Sequence, residues 1–92
     1  MNEEQMEMLI TQTINGAVAT IPAYLEDINQ NQETLKVENP KEFVYGMVMG
    51  MVLGMSGALL SAQEDIPTAE EQMKVRDIIY KYIPEIRERI FS

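Results

Sequence analysis

Apolar residues in the first third of the chain recur at helical spacing: Met6, Ile10, Ile14, Ala17, Ile21, Leu25 and Ile28. On a helix these positions fall within roughly 100° of arc, a single stripe with polar residues around the remainder. The pattern predicts a first helix over residues 2–30. Glu3, Glu4 and Glu7 stand in its first turns, where negative charge complements the helix dipole. Gly16 and Pro22 disturb its interior. The proline removes one backbone hydrogen bond, which predicts a bend near Val18 to Ile21 within one continuous helix.

Residues 29–39, NQNQETLKVEN, lose the periodicity and read as a connection. Asn39-Pro40-Lys41-Glu42 then forms a helix start. Asn39 is suited to cap, Pro40 to the first helical position, and Glu42 to reach back as the third residue of a capping box. Between Glu42 and Glu64 lie 21 residues without a charge, FVYGMVMGMVLGMSGALLSAQ, which hold four of the five glycines. A strand of that length would be several times the usual ~5–6 residues, so the run predicts a central helix over residues 40–63. Gly46, Gly50 and Gly54 recur every fourth residue, and Gly57 and Ser61 continue the series. All five fall within roughly 80° of arc. Met47, Met51 and Met55 form a second row at the same spacing.

Glu64, Asp65, Ile66 and Pro67 read as the next turn, and Thr68 with Glu71 repeats the capping-box spacing. A third helix is predicted over residues 67–91. Ala69, Met73, Val75, Ile79, Tyr80, Tyr82, Ile83, Ile86 and Ile90 form its apolar face, opposite Glu70, Lys74, Asp77, Lys81, Glu85 and Glu88. Arg76 and Ile78 break this pattern, and Pro84 predicts a kink or a short final helix. The expected fold is all-α: a single domain, residues 1–92, forming a three-helix bundle around a Gly/Met-rich central helix.

The central helix fits two environments. Its length and lack of charge reach the threshold of a bilayer span, and its glycine spacing is that of close-packed membrane helices. Four glycines, two serines and a glutamine dilute its aliphatic content, and no basic cluster marks a cytoplasmic flank. Both neighbouring helices carry apolar stripes that need a protein surface, so a buried helix in a soluble protein is the favoured expectation. Four interior glycines cost about 4 kcal/mol relative to alanine, which burial must exceed. Two amphipathic neighbours cover two sides of a helix that is apolar all round, and a second copy of the chain is the expected cover for the third. Gly46, Gly50, Gly54, Gly57 and Ser61 are therefore expected at a homo-oligomer interface. The alternative is that they seat the first or third helix within one chain.

Composition narrows the chemistry. The chain has neither cysteine nor histidine, which removes disulfides, thiolate metal sites and the common general base. Net charge is −8, and residues 1–42 hold most of it, with eight acids against two lysines. Such a chain repels nucleic-acid phosphates and suits a basic protein partner. Glu3, Glu4 and Glu7 share a helix face, as do Glu85 and Glu88, yet no acid lies between Phe43 and Gln63 to converge with them on a metal. No metal, cofactor or catalytic residue is expected. Met47, Met51 and Met55 offer a pliable apolar face for a partner or a hydrophobic small molecule. The N-terminus, MNEEQMEM, lacks the basic and apolar regions of a secretory signal, so a cytoplasmic location is expected. The functional expectation is a small, soluble, non-catalytic helical oligomer acting as an adaptor, inhibitor or regulatory subunit.

Overall fold

A computed structural model describes residues 2–63 and 68–92, and among these every regular element is helical. The first is α1 (Glu3–Val18), followed by α2 (Ile21–Gln30) and the single turn α3 (Gln32–Leu35). The long central helix is α4 (Pro40–Gln63), and α5 (Ala69–Lys81) and α6 (Ile83–Phe91) complete the chain. The turn expected at Glu64, Asp65, Ile66 and Pro67 lies outside the described residues.

Helix starts follow the local chemistry. Asn2 caps α1, its side chain accepting from the Gln5 N–H at 2.8 Å while Gln5 reaches back to the Asn2 N–H at 3.2 Å. Thr68 and Glu71 form the reciprocal pair expected at the head of α5. Asn39 accepts from the Glu42 N–H at 3.2 Å, but the Glu42 carboxylate binds Arg87 instead of completing a capping box. Lys36 ends α3 in the left-handed region, at φ 52°, where its N–H still reaches the Gln32 carbonyl.

Two of the three expected helices are divided further, while the central one, residues 40–63, is a single element. The first ends at Val18 and restarts at Ile21, so residues 2–30 form two helices instead of one bent one. The third is divided at Tyr82, and the connection contains the turn α3. The physical cause is the same at both breaks. Pro22 and Pro84 each occupy the second position of the new helix, where the missing N–H is harmless. The preceding residues, Thr20 and Tyr82, keep right-handed backbone angles, so the chain changes direction without a wide loop.

α4 is the hub and packs on α1, α2, α5 and α6. Its core-facing residues are Val44, Val48, Val52, Ser56 and Leu60, one at every fourth position. Such a row drifts about 40° around the axis per step, so the buried side of α4 winds along its length. The breaks at Thr20 and Tyr82 let the flanking helices follow it. Met6, Ile10, Ile14, Ala17, Ile21 and Ile28 supply the first side of the core, and Val75, Ile79, Ile86 and Ile90 the other. Ion pairs fix direction: Glu3 meets Lys74 and Glu7 meets Lys81, so α1 and α5 run parallel. The Cα extents, 44 × 25 × 18 Å, match two layers of helices, too thin to enclose α4 on every side.

Ser56 is fully buried, and its hydroxyl has no hydrogen-bond partner among the described residues. Removing an unsatisfied buried hydroxyl relieves its desolvation cost. Ser56→Ala is expected to stabilise the fold by ~1 kcal/mol, raising the thermal midpoint by roughly 4–8 °C. Ile79→Ala, which empties a fully buried site, is expected to cost ~2–5 kcal/mol in a denaturant titration.

Candidate functional site

The residues singled out by spacing fall on the outer side of α4. A row displaced by two residues from the buried one lies about 200° away, on the opposite side of the helix at every level. That row is Gly46, Gly50, Gly54, Ala58 and Ala62, and all five are exposed. A Cβ built at Gly46, Gly50, Gly54 or Gly57 meets no heavy atom within 4 Å. Among the described residues no atom of a flanking helix therefore approaches these glycines closely enough for a Cβ to obstruct it.

Two ridges flank this trough. Met51, Met55 and Leu59, one turn after Met47, line the side towards α1, and Leu53, Gly57 and Ser61, one turn after Met49, the side towards α5. Leu53, Met55 and Leu59 are exposed, as is Phe43 at the start of the helix. Beside the first ridge, Met51, Met55 and Leu59 join Leu9, Thr13 and Ala17 around an open groove of about 370 Å³. Met47 is half-buried and lies outside that groove, so the three methionines do not form one pocket. Met51 and Met49 pack partly against the core. Beside the second ridge, Leu53, Gly57, Leu60 and Ser61 border a groove of about 350 Å³ with Val75 and Arg76 of α5. Gly57 and Ser61 thus belong both to the small-residue series and to the α4–α5 edge.

Acidic residues near the N-terminus are drawn into packing. Glu7 accepts from Lys81 and from the Tyr82 hydroxyl at 3.1 Å, and Thr11 donates to the same hydroxyl at 3.5 Å. The Lys81 and Tyr82 hydrogen bonds hold the Glu7 carboxyl below the ordinary carboxylate range, while Glu7 raises Lys81. Glu3 faces Lys74 at 3.6 Å. Among the described residues no cluster of three or more metal-ligating side chains occurs. Arg87 pairs with Glu42 at 3.0 Å and lies over the rings of Tyr45 and Phe91, at 4.7 and 4.4 Å, which ties α6 to the start of α4.

Sequence reasoning missed Ala58, Ala62, Leu53, Leu59 and Phe43 as parts of the outer face. A signal was present: β-branched Val44, Val48 and Val52 form their own fourth-residue row, two positions from the glycines. Comparisons with protein-family models, curated proteins and solved structures find no match to this chain.

The Glu7 interaction gives a pH dependence with a defined sign. A carboxyl whose folded pKa is lowered adds stability above its unfolded pKa and loses it as pH falls through the folded value. Glu7→Gln is expected to lower the thermal midpoint near neutrality and to flatten its fall below the ordinary carboxylate range, measured by circular dichroism melts across pH.

Proposed function

We propose that this chain is a non-catalytic, cytoplasmic helical protein that assembles with copies of itself and binds another protein as an adaptor, inhibitor or regulatory subunit. One observation carries the reading: the outer side of α4 is apolar, without a charged residue from Phe43 to Gln63, and exposed from Phe43 to Ala62 among the described residues. Soluble monomers rarely leave so long an apolar face in water, and protein association is the common reason for one. The oligomer forms around α4 as its central element, completing a bundle that a single chain leaves open. Glu26, Asp27, Glu33 and Glu38 on α2, α3 and the following loop are exposed. They are the contact offered to a basic partner, since Glu3 and Glu7 are engaged by lysines.

A second reading is a single-span membrane protein. It is favoured by Pro40–Ala62, whose most apolar window has a mean hydropathy of 1.8 with only 33% of it buried. Against it stands the valine row of α4, which α1, α2, α5 and α6 would have to leave for lipid to replace them. Light scattering of the purified chain in detergent-free buffer separates the two. The proposal expects a single discrete oligomer; aggregation relieved only by detergent supports the span. For the partner, a Glu26→Lys, Asp27→Lys, Glu33→Lys variant is expected to lose about tenfold or more in affinity for a captured basic protein, with wild-type binding falling as salt rises.

A further inference from the structure

We infer that the occupant of the outer face of α4 is a second copy of the same face, related by a two-fold axis and crossing near Gly50 and Gly54. The inference rests on the oligomeric reading above and adds the seam, its register and its partner. The face is a trough with shoulders: Gly46, Gly50, Gly54 and Ala58 form the floor, Met51, Met55 and Leu59 one wall, Met49 and Leu53 the other. Floor and walls both follow rows of every fourth residue. Two such surfaces interlock when the wall of one enters the floor of the other, at a crossing angle near −40° to −50°. With no Cβ on the floor at Gly50 and Gly54, the axes approach closer than the usual 8–10 Å.

The occupant follows from charge and area. A partner of opposite charge finds nothing to pair with here, because no charged residue lies between Glu42 and Glu64. A two-fold contact needs only one patch that complements itself, and the uncharged strip of α4 brings no like charges together along the seam, Arg76 standing at the edge of the α5 groove. A 24-residue helix is ~36 Å long, and with the adjoining grooves the face is ~20 Å wide, so ~700 Å² per copy is the most it offers. The pair buries at most ~1,400 Å² in all, an upper bound that reaches the range of stable specific interfaces. The floor is also open in the single chain, so the helix bears its glycines without any packing return until the second copy arrives.

Sedimentation equilibrium on the full chain in plain buffer tests this, with Gly50→Glu and Gly54→Leu set against Ala23→Glu and Ala23→Leu on the exposed side of α2. The wild type is expected to be a dimer. Both α4 variants are expected to raise its dissociation constant more than tenfold while keeping the helical circular dichroism of a folded chain, and the α2 variants to leave it unchanged. Gly50→Ala should fall between, because it adds one methyl to the floor and has room for it in the monomer. A wild-type dimer indifferent to Gly50→Glu and Gly54→Leu overturns this seam and leaves the oligomeric reading standing. A wild type that is monomeric at all concentrations, or dispersed only by detergent, overturns both.

Discussion

The burial of one row of α4, Val44-Val48-Val52-Ser56-Leu60, is the constraint on which the other features depend. It recurs every four residues, not every 3.6, so it winds around the helix, and no single straight partner could follow it from end to end. Two pairs of shorter helices follow it instead. Their apolar stripes, from Met6 to Ile28 and from Val75 to Ile90, meet it in one core cluster. Pro22 and Pro84 sit where each pair changes direction, so residues that would damage a long helix here start a new one.

Polar contacts act mainly on direction. Glu3–Lys74, Glu7–Lys81 and Thr11–Tyr82 advance together along α1 and the α5–α6 junction, which holds these elements parallel. Arg87 clasps the start of α4 through Glu42 and the Tyr45 ring. Exposed pairs of this kind contribute little to stability, but a slip of one helical turn would break several at once. They set register on a core whose cohesion is almost wholly apolar.

The same winding row determines what faces outward. A position two residues from a buried one lies on the far side of the helix, so small residues there make a shallow trough along its length. Helix propensity alone gives no reason to place glycine at three of these exposed positions, since alanine would fit each and favour the helix. Close approach by another surface is the physical circumstance in which the absence of a Cβ helps. In a chain this acidic, an uncharged strip is also the region where two copies would meet without repulsion.

Much of the fold was legible in the chain. Met6, Ile10, Ile14, Ala17, Ile21 and Ile28 announced a buried stripe because an amphipathic helix has only one side to hide. Thr68 with Glu71 and Asn39 marked helix starts because those side chains satisfy free N–H groups within a few residues. Both are local rules. The divisions at Thr20 and Tyr82 were less legible, since a proline permits either a bend or a restart and the packing of the flanking segments chooses. In α4 local pattern fell silent: with apolar residues on all sides, periodicity could show that the glycines shared a face but not which way that face points. Direction there is a contest between the valine row and the glycine row for the interior. Only the tertiary structure decided it, because burying the valines removes more apolar surface from water than burying glycines could.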